Sequence, residues 1–477
     1  MPMPKLIAHQ TPDAIIAYTQ SHVMTAHDFL RDCFGLAMRL PTKPYLLNFC
    51  KNRYLFAVGM GAAALNRQAM LLPPTYNQGM ISQLQKTYPD FYILYDQDVL
   101  EITELLSFKL EYPVLPSYEC YGSLSDLKKD FSVPEIPADH VMAYVFTSGS
   151  TGEPIPHAKT WGSLTRNVQA QLCRIREDVN FLNQKFTVLA TVPPQHMYGL
   201  ESSVLVALLG GQAFGAAHPF FPQDICTELE CLPRPRVLVS TPLHLRTWME
   251  SGMDLPAVDL IISATAPLSL QLAESIEAKF QIPVQEIYGC TETGQIATRL
   301  PTVNPVWQTY GEVEIMQADS GGDGCGGAVA KGDYIFSPTE LNDVLEVIDK
   351  NHFKLLGRKV DQVNIAGKRS SLGYLNYQLN TIQGVKDGVF FIPDMVDTPK
   401  EKLGETRLAA FVVASSISKA DILKALRSRI DAAFMPRPLF IVDELPRNST
   451  GKLPHQVLAE LAQKLQSQQI ATEPQKQ

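Results

Sequence analysis

The stretch TSGSTG, Thr147 to Gly152, directly follows the apolar run VMAYVF. Backbone N–H groups and hydroxyls set so densely at a strand end can converge on an anion, and glycine permits close approach. The Walker form of such a loop, G-x-x-x-x-G-K-[ST], occurs nowhere in the chain, which disfavours a P-loop kinase or ATPase. Protein-kinase signatures are missing as well. The first lysine after the loop is as far away as Lys159. Three other stretches stand with it: IYGCTETG (Ile287 to Gly294), LLGRKVD (Leu355 to Asp361) and LPRNSTGKL (Leu445 to Leu453).

In this order and at this spacing, the four stretches resemble the motifs of the adenylate-forming superfamily. That superfamily includes acyl-CoA synthetases, the adenylation domains of peptide synthetases and firefly luciferase. The resemblance extends over nearly the whole chain. It implies that ATP activates a carboxylic acid to an acyl-adenylate, that pyrophosphate leaves, and that the acyl group then passes to a thiol. ATP and Mg²⁺ are the implied cofactors.

The resemblance also implies roles for single residues. Thr147, Ser148, Gly149, Ser150, Thr151 and Gly152 would embrace the β- and γ-phosphates. The family usually continues P-K-G, whereas this chain has Pro154-Ile155-Pro156. Lys159 is the candidate substitute for the missing lysine, His157 is second, and the distant Lys452 is a further option. In YGCTE, Tyr288 would stack on adenine with Gly289 beside it, Thr291 would contact the α-phosphate, and Glu292 would hold Mg²⁺, a hard cation suited to carboxylate and phosphate oxygens. Cys290, at a variable position of that motif, would face the substrate and not act as a nucleophile. Ala264, Thr265, Ala266 and Pro267 of SATAPL line up with the small-residue segment beside adenine. Counting back from Gly357-Arg358 makes Asp343 of LND the ribose ligand, assisted by Arg358. Lys359, Val360 and Asp361 would form the hinge between domains, pivoting on the apolar Val360 or shifted by one residue onto Asp361. Gly367 would give backbone access during thiolation. Lys452 would bridge the substrate carboxylate and an α-phosphate oxygen.

The substrate wall falls on PPQHMYGLESS, Pro193 to Ser203. His196 is the gate candidate. Tyr198 and Ser202, with Gly199 between them, have the spacing that meets a phenolic hydroxyl in hydroxycinnamate CoA ligases. Met197 stands where amino-acid adenylating domains generally carry an Asp, which argues against an amino-acid substrate. The string YGCTETGQIATR and the short N-terminal domain look most like the stand-alone ligases of aryl-polyene and xanthomonadin-type pigment clusters. An aromatic acid, hydroxybenzoate- or hydroxycinnamate-like, is therefore expected, with CoA or an acyl carrier protein as acceptor. The rivals are a medium-chain fatty acid, a non-catalytic nucleotide- or acyl-adenylate-binding protein, and an oxygenating luciferase-like activity.

These residues need a scaffold that brings strand ends together. The chain has 477 residues, which allows two or three domains. PYLLNFC, DFYILYD, FTVLATVP, RVLVSTP and LIISATAP read as buried strands, and DFLRDCFGLAMRL, YLFAVGMGAAALN and ISQLQKTY as helices between them. That alternation predicts an α/β fold, a large domain of mainly parallel sheets flanked by helices, with sites beyond the C-terminal strand ends. We place this core at residues 1–356, a small mobile α+β lid at 357–465 and a frayed tail at 466–477. KADILKALRSRIDAAF reads as one helix of the lid, and the Gly-rich ADSGGDGCGGAVAKGD as a hairpin tip or surface loop. The formal net charge is −8, with no basic stripe, so nucleic acid is not an expected partner. The 8 cysteines form no C-x-x-C pair and are expected as free thiols in a reducing cytoplasm. No secretory h-region or transmembrane segment is expected; VLVALLGGQAF, the most apolar stretch, is too short and reads as a core helix end and turn.

Overall fold

Apolar runs of four or five residues with β-branched character become strands buried on both faces, which is why they pair in parallel. Tyr45–Asn48, Ala69–Leu72, Phe91–Tyr95, Ser107–Lys109 and Val141–Ser148 form a parallel array, and Pro154–Thr160 closes its edge antiparallel. The computed structural model describes residues 3–73, 76, 78–97, 105–111, 131–148, 154–179, 184–317, 327–358, 362–365, 368–392, 408–414, 416–447, 453, 457–462 and 464–465.

A second sheet of eleven strands runs, in spatial order, Asp343–Asp349, His352–Arg358, Trp307–Thr309, Gly294–Arg299, Val284–Cys290, Leu260–Ser263, Arg236–Ser240, Thr187–Ala190, Ala213–Gly215, Ile15–Tyr18 and Val23–Thr25. From Val284–Cys290 to Ile15–Tyr18 the neighbours pair in parallel, so their C-terminal ends share one edge. From Gly294–Arg299 onward the pairing is antiparallel. The helices Ala26–Ala37, Arg53–Leu65 and Trp161–Val179 and both sheets share one continuous apolar core. The first of these starts at the capping box Thr25/Asp28, two residues ahead of the expected start.

The large-sheet strand His352–Arg358 ends where the expected hinge begins; Lys359, Val360, Asp361 and Gly367 lie outside the described residues. The smaller C-terminal domain has a three-stranded sheet, Val385–Phe391, Ala409–Ala414 and Leu439–Ile441, and helices Leu372–Asn380 and Lys419–Arg427 over its own core. Here one expectation needs correcting. The helix stops at Arg427, and Ala432–Phe434 is a separate 3₁₀ turn, because Asp431 turns its carboxylate onto Ala433 N and starts a new cap. The Gly-rich segment does connect paired strands, Glu314–Gln317 and Ala328–Lys331, but its tip lies outside the described residues. VLVALLGGQAF is a helix end, with Gly211 in the left-handed region at φ 61°, followed by the strand Ala213–Gly215. Among the described residues no helix is long and apolar enough to cross a membrane.

One carboxylate ties the C-terminal domain to the large one. Asp387 accepts from Arg447 Nε and Nη2 at 2.8 Å each, and pairs with Arg246 of the core helix Pro242–Ser251 at 3.1 Å.

Candidate active site

The Ser/Thr/Gly stretch joins two paired antiparallel strands. Val141–Ser148 pairs with Pro154–Thr160 so that Thr147 faces Ile155 and Ser148 faces Pro154. Gly149, Ser150, Thr151 and Gly152 lie outside the described residues. Thr147 Oγ1 is 3.0 Å from His157 Nε2, at the mouth of the hairpin. Along the return strand Ile155, His157 and Lys159 alternate onto one face. Lys159 is buried, and its Nζ donates to the backbone carbonyl of Glu292 at 2.9 Å. Lys159 is the residue expected to stand in for the phosphate-loop lysine. Its ammonium gives one hydrogen bond to the turn that carries Glu292, and His157 on the same strand sits against Thr147.

That turn joins Val284–Cys290 to the antiparallel Gly294–Arg299, with Cys290 opposite Gly294. Thr291 and Glu292 are half-buried at its tip. A Cβ on Gly289 would sit 2.3 Å from the Gly294 carbonyl oxygen, so the glycine of Y-G-x-T-E is forced by backbone contact. Cys290 Sγ lies 3.1 Å from Thr293 Oγ1, and burial pushes its thiol up to about 11. It stays protonated at neutral pH and makes a poor nucleophile. Among the described residues no group of three or more His, Cys, Asp and Glu could cage a metal. The half-buried carboxylate of Glu292 is of the kind that suits Mg²⁺, which keeps its waters and binds through one or two carboxylates plus phosphates.

Tyr288, Asp343 and Arg358 come together at the neighbouring strand ends. Tyr288 Oη donates to Asp343 Oδ2 at 2.6 Å, and its ring packs against Trp307 and Phe353. Asp343 faces Arg358 across two antiparallel strands. Beyond the end of Leu260–Ser263, Ala264, Thr265, Ala266 and Pro267 form a bend whose exit is fixed by Leu268 N, donating to Glu286 Oε1 at 2.7 Å. Thr265 has φ 80°, a strained value for a β-branched residue, and its Oγ1 finds no hydrogen-bond partner among the described residues. Strain held at such a place is relieved by glycine. Thr265→Gly is expected to raise stability by about 1 kcal/mol, the relief outweighing the added chain entropy, and to alter the KM of ATP or acid. A lower denaturation midpoint would contradict this.

His196 caps the short helix Met197–Gly199, its Nδ1 accepting from Tyr198 N at 3.3 Å, and a π-helical turn, Leu200–Leu205, follows. A Cβ on Gly199 would lie 2.1 Å from Pro193 O, so no side chain fits there. Tyr198 Oη reaches Ile262 O at 3.0 Å and Ser240 O at 3.1 Å, and Ser202 Oγ accepts from Gln295 Nε2 at 2.8 Å and Gln171 Nε2 at 3.1 Å. These are the two hydroxyls expected to meet a phenol. Ser202 is committed to the scaffold, and the Tyr198 proton is held by sheet carbonyls.

The sequence reading missed the buried charges beneath these loops. Arg53, fully buried, donates to Val192 O at 2.7 Å, Ala217 O at 2.8 Å and Ser203 Oγ at 3.0 Å, and burial lowers its pKa to about 9. Glu286 holds Arg299 and Leu268 N. Glu201 lies under the Thr291–Gly294 turn, where burial raises its pKa from 4.5 to about 7 against the opposing pull of Lys159 and Gln295. The one visible signal for Glu201 is an acid inside the apolar run GLESSVLVALL.

The Glu201 shift has a pH consequence. Between about 4.5 and about 7 the folded chain keeps a proton that the unfolded chain has released. Stability is therefore fully present below that window and falls as pH rises through it, by up to about 3 kcal/mol. Glu201→Gln is expected to flatten this slope in denaturant titrations run across the window. An unchanged slope would count against it.

The profile of the AMP-binding enzyme family, described as "AMP-binding enzyme", matches residues 45–319, more than half of the chain. The 2-succinylbenzoate–CoA ligase of Staphylococcus epidermidis is 24% identical over 383 residues, 75% of this chain and 77% of that protein. The 4-coumarate–CoA ligase of Halorhodospira halophila is 28% identical over 348 residues, 70% of this chain and 78% of that protein. The fold is similar to that of o-succinylbenzoate coenzyme A synthetase from Bacillus subtilis in complex with ATP and magnesium, with a TM-score of 0.72, 18% identity, and 93% and 96% of the two chains covered.

Proposed function

The chain belongs to the AMP-binding enzymes, and from that premise we propose that it is an AMP-forming acid–thiol ligase. It joins a carboxylic acid to ATP as an acyl-adenylate and then passes the acyl group to a thiol. The observation that carries the reading is a convergence. The hairpin bearing Thr147 and the turn bearing Glu292 are joined by the Lys159–Glu292 hydrogen bond, in a fold where Tyr288 bonds to Asp343.

In the first half-reaction a carboxylate oxygen attacks the α-phosphorus. The new bond is the C–O–P anhydride, the bond broken is that to the β-phosphate, and pyrophosphate carries off the negative charge. Two unit charges ~4 Å apart at an effective dielectric of ~20 repel by about 4 kcal/mol, so donors must offset the approach. Backbone N–H groups and hydroxyls of Thr147 to Gly152 would hold the terminal phosphates, and the Thr291 hydroxyl the α-phosphate. Tyr288 and the Ala264–Pro267 bend would hold adenine, with Asp343 and Arg358 on the ribose. Glu292 would hold Mg²⁺, which when bound screens the phosphate charges. In the second half-reaction a thiolate attacks the acyl carbon and AMP leaves.

We read the acid as aromatic. Both relatives named above carry an aromatic acid in their names, and the acceptor is a phosphopantetheine thiol, that of CoA, as in both names, or of an acyl carrier protein. A medium-chain fatty acid is the second reading. It is favoured by one observation, the engagement of the Tyr198 and Ser202 hydroxyls inside the protein, which leaves the wall more apolar. ATP–pyrophosphate exchange over a panel of aryl and medium-chain acids separates the two, and acceptor competition follows. No response to any aryl acid would end the aromatic reading. No pyrophosphate release with any acid would leave only a nucleotide-binding protein.

A further inference from the structure

We propose that Lys159 and Glu201 form a buried charge platform that positions the Glu292-bearing turn, so that Lys159 serves the metal-binding carboxylate through the backbone and not the triphosphate directly. The proposal rests on the reading of this site as a Mg²⁺–ATP site.

Lys159 is 7% exposed and Glu201 2% exposed. An ammonium taken out of water at that depth needs compensation, and it finds two kinds. One is the Glu292 carbonyl at 2.9 Å, and the other is the through-space attraction of the Glu201 carboxyl, when ionised, and of the Glu292 carboxylate. The hydrogen bond is made to the peptide oxygen of the residue whose side chain would hold the metal. Moving that peptide moves the carboxylate with it.

The far side of the turn is gripped as well. Gly294, at φ 77°, leaves room for Glu201, whose Oε1 would lie 2.9 Å from a Cβ placed there. Gln295, the next residue, has its carbonyl held by Asn167 Nδ2 at 2.7 Å and Tyr334 Oη at 3.0 Å, and its side chain donates to Ser202 Oγ at 2.8 Å. The turn is thus fixed at Glu292 from the hairpin side and at Gln295 from the helix Trp161–Val179. A lysine meant to follow a departing pyrophosphate would need a free head on a flexible stem. This one is pinned at its tip.

The test is ATP binding, measured by calorimetry with excess magnesium chloride and again with EDTA, on the wild type, Lys159→Met, Lys159→Arg and Glu201→Gln. It needs no knowledge of the acid. Partners that orient a metal ligand are worth about 10- to 100-fold in metal affinity. Lys159→Met is therefore expected to raise the magnesium concentration needed for half-maximal ATP binding by at least about tenfold, with binding in EDTA unchanged. Lys159→Arg, which keeps a cation, is expected to recover part of the loss, and Glu201→Gln to fall between. Should Lys159→Met be unfolded by thermal melting, the other two variants carry the comparison. Equal weakening with and without magnesium would mean a direct phosphate contact and overturn the proposal. A lowered melting temperature with an unchanged magnesium requirement would mean a merely structural lysine and overturn it too. Absence of ATP binding by the wild type would instead remove the nucleotide reading, and this proposal with it.

Discussion

Lys452→Ala is expected to slow acyl-adenylate formation by roughly 10²–10³-fold, the scale of losing one oriented donor in a water-poor site, and to spare acyl transfer from a pre-made adenylate. The reason lies in what the other cations are doing. The approach of a carboxylate to a triphosphate needs positive charge free to meet the oxygens between them. Among the described residues, Lys159 donates to the Glu292 carbonyl, Arg299 to Glu286, and Arg53 to strand-end carbonyls and Ser203. Lys452 lies outside the described residues, while Arg447, shortly before it in the chain, is described. Arg447 holds Asp387 through two bonds of 2.8 Å, and Asp387 also reaches Arg246 of the large domain. Rates of ATP–pyrophosphate exchange, compared with single-turnover transfer from synthetic acyl-adenylate, separate the two half-reactions. An unchanged exchange rate in the variant would remove Lys452 from the chemistry.

The parallel half of the fold was legible because it is written in local pattern. Runs such as LIIS and RVLVS are apolar without alternation, as strands covered on both faces must be, and each ends in small residues where its loop begins. The antiparallel extension was not legible. Trp307–Thr309 is three residues long, and its place between Gly294–Arg299 and His352–Arg358 is decided by pairing far along the chain. The site divides in the same way. Tyr288, Glu292 and Asp343 were singled out from motif spacing, and Tyr288 and Asp343 do meet in a hydrogen bond. Their supports were not. Glu201 shows only as an acid inside an apolar run and Glu286 not even that, so both stayed hidden until the sheet was closed. Lys159 was picked out as a residue that matters, but its hydrogen bond to the Glu292 turn could not be read. The Glu292 turn that it meets is 133 residues away.

Glu286→Ala is expected to cost about 3 kcal/mol of stability, the lower end for breaking a buried charge pair, and to raise the KM for ATP. Glu286 is 3% exposed, and its carboxylate takes Arg299 Nε and Nη2 at 2.7 Å each on one oxygen and Leu268 N at 2.7 Å on the other. Two losses follow from its removal. The Arg299 guanidinium, lying 4.6 Å over the Trp307 ring with its side chain 20% exposed, loses its anion; that residual access to water keeps the cost from being larger. Leu268 N becomes an unpaired buried donor, at the exit of the Ala264–Pro267 bend proposed to lie against adenine. The first loss is electrostatic and the second positional, and a second variant separates them. Glu286→Gln keeps an acceptor for Leu268 N but no charge for Arg299. It is expected to restore the KM for ATP while recovering only part of the stability, read from denaturant unfolding. If Glu286→Ala unfolds more readily yet binds ATP as the wild type does, the bend does not depend on this anchor, and Glu286 serves the sheet alone.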